Sequence, residues 1–244
     1  MGCIMALIKL ELLNGDVVSV INTDKYLLPE KQQLLEQNIK DELKKVLNQE
    51  EVEYSNAKQR LQNFFNNEVA MYVLPDIDRL TNEIRPDPNN KNLRGCTVPL
   101  AMMLFAIIDL FGFLMRDSEK AKKTETIENF QYLFSQKNKY FPKIYADNFQ
   151  KIVKLFRHGL IHQFFPKASG ITKAGPNSPL IFESDNIPHL NVDILSKDLV
   201  KAISQIKEDI NKGKDKKLIM RMNKRLNMLA EDDYKDLNKL NKSY

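Results

Sequence analysis

An all-α fold, a helical bundle with one small inserted β-hairpin, is what this sequence predicts. Two observations carry that expectation. In segment after segment, apolar residues recur at the three- and four-residue steps of a helix face, against few strand-like runs. Glycine and proline are scarce, at 8 and 10 residues, which argues against long flexible linkers between the segments. With 244 residues, 43% of them hydrophobic, the chain can bury a sizeable core.

Taken in order, the chain opens on a structured segment, residues 1–84 with the helices that follow it. Position 6 is Ala6, where a myristoylation signal wants Ser or Thr, and no secretory cleavage pattern is evident. From Ile8 to Ile21 short apolar runs flank the turn signal Asn14-Gly15, and Val17 to Ile21 reads as a short strand or a docked segment. Pro29 opens a helix with Leu34, Leu35, Ile39, Leu43, Val46 and Leu47 on one face. A second helix from about Glu51 to Asn67 is expected to fold back on it as a helical hairpin. Arg85 to Arg94 reads as a loop, with two prolines and three asparagines.

A helical core is expected over residues 95–212. Val98 to Met115 is the most apolar stretch, interrupted only by Asp109. Pro99 and Asp109 speak against a membrane span, so it reads as a central bundle helix, apolar nearly all round. A carboxylate in such a helix needs a partner. A helix-edge or backbone-capping position and a pairing with Arg157 both remain open. Thr126 to Phe134 forms a short helix. After Pro166, Ile171-Thr172 and Leu180 to Glu183 read as the two strands of a hairpin across Gly175 to Pro179, and Leu190 to Ile194 as a further extended piece. Ser196 reads as the N-cap of a helix that Gly213 ends. His189, after Pro188, is expected in a loop in a structural role.

Residues 213–244 read as a basic C-terminal helix. Lys214, Lys216, Lys217, Arg221, Lys224 and Arg225 cluster there, with Leu218, Met222, Leu226 and Leu229 at helical spacing. Such a helix either packs on the bundle or offers a basic face to RNA, a membrane or a protein partner. The formal charge of +5 permits a polyanionic partner without demanding one. Two cysteines, Cys3 and Cys96, form neither a disulfide framework nor a metal-ligand spacing, which fits a reducing cytoplasm.

The stretch from Asn148 to Lys167 concentrates the chemistry. Phe149, Ile152, Val153, Phe156 and Leu160 share one helical face; Lys151, Lys154, His158 and His162 share the other. Two of the chain's three histidines fall here, and Pro166 stops the helix at or before Phe165. Arg157-His158-Gly159-Leu160-Ile161-His162 resembles the motif of the HEPN family: arginine, a polar residue, three further residues, histidine. The resemblance covers roughly Thr97 to Lys212. It implies a helical bundle that works as a homodimer, often as a metal-independent ribonuclease in toxin–antitoxin or phage-defence systems, with an acidic or polar residue in the helix before the motif.

Three readings of these residues compete. In the first, an endoribonuclease without a cofactor uses Arg157 to hold the scissile phosphate and His162 for proton transfer. His158 then positions phosphate or water, Asp109 orients Arg157, and Lys151 and Lys154 bind RNA. Five residues along an α-helix turn through about 140°. Convergence of Arg157 and His162 therefore needs a helix end near Gly159, or a second subunit across a two-fold axis held by Ile161, Phe164 and Phe165. In the second, His158 and His162 bind a metal from i and i+4, although Gly159 stands where a zinc-protease helix carries its glutamate. In the third, the helix is a bundle element of a binding module. No P-loop, dinucleotide turn or Gly-x-Ser-x-Gly elbow is present, so nucleotide and hydrolase folds are not indicated.

Overall fold

The structure is a computed structural model. It describes the backbone over residues 7–11, 17–21, 29–83, 97–117, 124–163, 168–175 and 177–241, and side chains over 37–82, 97–117, 124–160, 168–175, 177–232 and 235. Within these bounds the chain is mostly helical with two small sheets.

The most apolar stretch forms helix α3 (Thr97–Met115), with Pro99 in the first turn where a missing N–H costs no helical bond. Leu100, Leu104, Phe105, Ile108, Phe111 and Leu114 are buried. Helices α4 (Thr126–Leu133), α7 (Val192–Lys212) and α8 (Lys216–Asn241) pack against it. By length and composition α3 passes as a membrane span, yet 61% of its most apolar window is buried in the bundle. Burial is not all round, as the sequence suggests it should be. Met102, Met103, Ala106 and Leu110, spaced at helical steps, form a partly open face in which Ala106 is exposed.

The expected helical hairpin does not form. Helix α1 (Pro29–Asn63) runs without a break past Glu51 and continues through π-helical turns at Phe64–Val73, helix α2 (Leu74–Asp78) and further π-helical turns at Arg79–Glu83. Nothing between Leu47 and Glu51 breaks a helix: the run Asn48-Gln49-Glu50 is polar but keeps its backbone donors. The π-helical turns precede Pro75, which has no N–H to give and crowds the preceding turn, so a wider spiral accommodates it. Among the described residues α1 joins the core through Ala57 and Leu61, while Val46, Leu47 and Val52 are exposed. Loop residues Arg85 to Arg94 lie outside the described residues.

The small β elements differ from expectation in pairing. Strands β1 (Leu7–Glu11) and β2 (Val17–Ile21) form an antiparallel pair, and the Asn14-Gly15 turn signal lies outside the described residues. Beyond the motif, β3 (Gly170–Thr172) does not pair with β4 (Ile181–Ser184). Both flank β5 (Ile187–Asn191), β3 in parallel and β4 antiparallel. The hairpin therefore turns at Asp185-Asn186, whose φ values of 54° and 60° suit residues that tolerate the left-handed region. His189 sits in β5, not in a loop, and its ring stacks on Phe182 with centroids 5.5 Å apart. Helix α7 starts four residues before Ser196: Asn191 is its N-cap, accepting from the Asp193 N–H. Gly213 ends α7 with φ 65°.

The motif lies on one continuous helical run, α5 (Lys143–Lys151), π-helical turns at Ile152–Arg157, and α6 (His158–Gln163). Pro142, in extended conformation, sets its start. An aromatic cluster anchors the run: Phe134, Phe141 and Tyr145 have ring centroids 4.9 to 5.0 Å apart. Each such buried ring stabilises the bundle by about 1.5–3 kcal/mol from burial, with edge-to-face geometry adding roughly 0.5–1.5.

Candidate functional site

Asp109, the misfit of α3, is the hub of a polar cluster. Thr126 opens α4 and donates its hydroxyl to Asp109 Oδ2 at 2.8 Å; Asn129, one turn on, donates to Oδ1 at 2.8 Å. Arg157 reaches the cluster from the motif helix. Its Nη2 donates to Thr126 Oγ1 at 3.0 Å and stands 3.5 Å from Asp109 Oδ2. At that distance the Asp109–Arg157 contact is an ion pair, not a hydrogen bond, and the threonine hydroxyl bridges it. The side chains of Arg157 and Asp109 are 16% and 21% exposed, which strengthens their attraction relative to a surface pair while leaving both reachable.

Gly112 makes this convergence possible. A Cβ there would stand 2.2 Å from the Asn129 carbonyl oxygen, so only glycine lets α4 approach one turn after Asp109. Asn129 is fully buried, and its own Oδ1 has no hydrogen-bond partner. Serving Asp109 with the amide N–H thus costs about 1–3 kcal/mol for an unsatisfied acceptor.

Beside the cluster is a cavity of about 260 Å3. Phe105, Ala106, Leu110 and Phe113 of α3 and Leu229 of α8 line it, and Asp109 and Arg157 form its polar end. Arg157 spends only Nη2 on protein acceptors among the described residues, leaving its Nε and Nη1 donors open to a ligand.

The structure treats the motif residues unequally. Arg157 and Asp109 come together. His158 is half-buried, and Lys151 and Lys154 are exposed on the opposite side of the run from Ile152, Val153 and Phe156, which are buried. His162 belongs to α6, but its side chain lies outside the described residues, as do those of Ile161, Phe164 and Phe165. The helix continues through Gly159 to Gln163, so there is no helix end at Gly159 to bring Arg157 and His162 onto one face. Among the described residues no three His, Cys, Asp or Glu side chains gather as a metal site. The His158 and His162 metal reading depends on a side chain outside them.

Thr126 and Asn129 escape a reading of the sequence, although their i, i+3 spacing puts both on one face of α4. The basic tail also changes meaning. Arg225, 4% exposed, donates to the Phe113 carbonyl and lies 5.4 Å over the Phe113 ring. Arg221 donates to the Met115 carbonyl at 2.7 Å and pairs with Asp117 at 2.5 Å. Both satisfy the C-terminal end of α3, where cations complement the helix dipole. Burial above all, then Arg221 and Arg116 nearby, pulls the Arg225 guanidinium down to about 10, which keeps it charged at neutral pH. Lys214 pairs with Asp209 and Lys216 with Glu51, leaving Lys217, Lys224 and Lys235 as exposed tail cations among the described residues. A larger cleft of about 790 Å3 lies between the Leu74–Asn82 stretch and the start of α7; none of the motif residues lines it.

In comparisons with known proteins, no family model, no curated protein and no solved structure matches the chain.

Proposed function

We propose that the protein is a metal-independent endoribonuclease of HEPN type, acting as a homodimer in a defence or toxin–antitoxin setting. One observation carries the reading. Arg157 is held half-buried by Asp109 and Thr126 in the lining of a cavity, with its Nε and Nη1 donors unspent among the described residues. A guanidinium so placed suits a phosphodiester, whose charge it neutralises through charge-assisted hydrogen bonds. The unsatisfied Asn129 carbonyl supports function over stability as the reason for the cluster.

In the reaction, an imidazole of His162 takes the proton of the 2′-hydroxyl. The 2′-oxygen attacks phosphorus, and the bond to the 5′-oxygen breaks. A second imidazole returns a proton to that leaving oxygen. The products are a 2′,3′-cyclic phosphate and a 5′-hydroxyl. One chain carries one histidine in this motif position, and a two-fold axis beside α6 supplies the other. Arg157 stabilises the charge on the phosphoryl oxygens, Asp109 positions Arg157, His158 positions phosphate or water, and Lys151 and Lys154 follow the RNA backbone.

The unbroken helix through Gly159 favours a second reading, an RNA-binding or protein-binding module of the same fold without cleavage. Incubating wild type and His162→Ala with total RNA in the presence of a chelator decides between them. Cleavage by the wild type and at least about a hundredfold loss in the variant is expected. Equal cleavage by both, or none by a folded dimer, refutes the enzyme. Activity abolished by the chelator shifts the assignment to a metal held by His158 and His162.

A further inference from the structure

The cavity beside Asp109 and Arg157 has walls that phosphate binding does not use. Phe105, Phe113, Leu110 and Leu229 make it apolar, and exposed Ala106 sits at its rim. At about 260 Å3 it falls just below the roughly 300–1,000 Å3 typical of small-molecule pockets, so one ring system fits and a whole nucleotide does not. Its polar end sets an acceptor next to a donor. A carboxylate has about four lone-pair positions; among the described residues Oδ1 of Asp109 receives one hydrogen bond, from Asn129, and keeps another position open. Arg157 has open donors at both Nε and Nη1 among the described residues, one for the base and one for the phosphate beside it.

We infer that this cavity receives one unstacked nucleobase of an RNA chain, and that it favours a base with an exocyclic amine over uracil. The inference rests on the reading of Arg157 as an RNA phosphate ligand and extends it to the base beside that phosphate. Single-stranded RNA is read by bases splayed into apolar and aromatic slots and hydrogen-bonded along their edges. The amines of cytosine, adenine and guanine donate to a carboxylate with a ring acceptor or carbonyl nearby for the guanidinium. Uracil has a single edge donor, N3–H, flanked by two carbonyl oxygens. A carboxylate accepting from it meets a carbonyl lone pair at either side, whichever way the ring enters.

The test uses the full-length His162→Ala protein and a matched pair of ligands, cytidine 3′-monophosphate and uridine 3′-monophosphate, with inorganic phosphate as the reference. Titration calorimetry is expected to show cytidine 3′-monophosphate binding at least about tenfold more tightly than its uridine counterpart. Adding Ala106→Trp, which fills the cavity from an exposed position, is expected to reduce the cytidine affinity to that of phosphate. Equal affinity for the two nucleotides, or nucleotide affinity no better than phosphate in the parent protein, overturns the base site. Failure of the enzyme reading is seen separately: selective nucleotide binding by a wild type that cuts no RNA leaves the base site standing and removes catalysis. If Ala106→Trp unfolds by circular dichroism, the cytidine-to-uridine ratio in the parent protein still decides.

Discussion

Asp109 occupies the most apolar helix of the chain, yet both of its oxygens receive hydrogen bonds. Removing the carboxylate strips acceptors from Asn129 and Thr126 and the counter-charge from Arg157. Asp109→Ala is therefore expected to lower stability by about 1–3 kcal/mol in urea unfolding and to abolish RNA cleavage. An unchanged denaturation midpoint contradicts the network described here. Tyr145 offers a pH-dependent check on the core. Burial, then the Asp198 carboxylate that its hydroxyl contacts at 2.9 Å, raises its pKa far above the ordinary 10.0. The unfolded chain releases this proton near 10.0 while the folded chain holds it, so above that pH the folded state binds more protons. The stability contribution is complete below pH 10.0 and is lost as pH rises beyond it. Tyr140 shifts the same way, through burial and Asp209. Urea midpoints measured across this range should fall with pH, and fall less steeply in Tyr145→Phe.

At the scale of elements, the approach of α4 to α3 sets the site. Gly112→Ala places a methyl group against the Asn129 carbonyl, and neither backbone has a flexible end to yield. The helices must part, at a cost of about 1–3 kcal/mol. Because Asn129 then moves off Asp109, cleavage should drop along with the melting temperature. A Gly112→Ala protein with wild-type melting and activity would show that the close approach is dispensable. The tail helix is held by the same end of α3, through Arg221 and Arg225 to the Met115 and Phe113 carbonyls. Its arginines are thus committed to the bundle, and Lys217, Lys224 and Lys235 are among the described tail residues left to meet a polyanion.

For the whole molecule, the proposed chemistry requires two copies. The partly open face of α3, with Met102, Met103, Ala106 and Leu110, flanks Asp109 and provides apolar surface beside the site. In the proposed dimer, Met102 and Met103 are the part of this face available to offset the repulsion of two cationic motif helices, since Ala106 and Leu110 line the cavity. Light scattering at micromolar concentration is expected to find a dimer, and RNA affinity to fall steeply with added salt as phosphate contacts are lost. A monomer that binds RNA with no salt dependence contradicts both.

Periodicity alone makes the helices legible, because a helix face is written in residues three and four apart. The long apolar run and the end at Gly213 are local matters of the same kind, settled by side-chain pattern and backbone chemistry. Asp109 announces a need for partners by being charged among apolar neighbours. Which partners it finds is not local: Thr126 and Asn129 lie 17 and 20 residues away, and only the glycine-permitted approach of α4 selects them. Strand pairing behaves likewise. β3 and β4 look like neighbours in the chain, but β5 lies between them in the sheet because backbone groups pair wherever packing brings them into register. That the basic tail packs on the bundle is within its sequence reading, but only the docking of α8 turns two of its arginines toward carbonyl oxygens of α3. Local propensity decided what each segment of this protein became; the packing of distant segments decided which polar groups met, since burying a charge or a carbonyl forces a partner upon it from whatever element lies alongside.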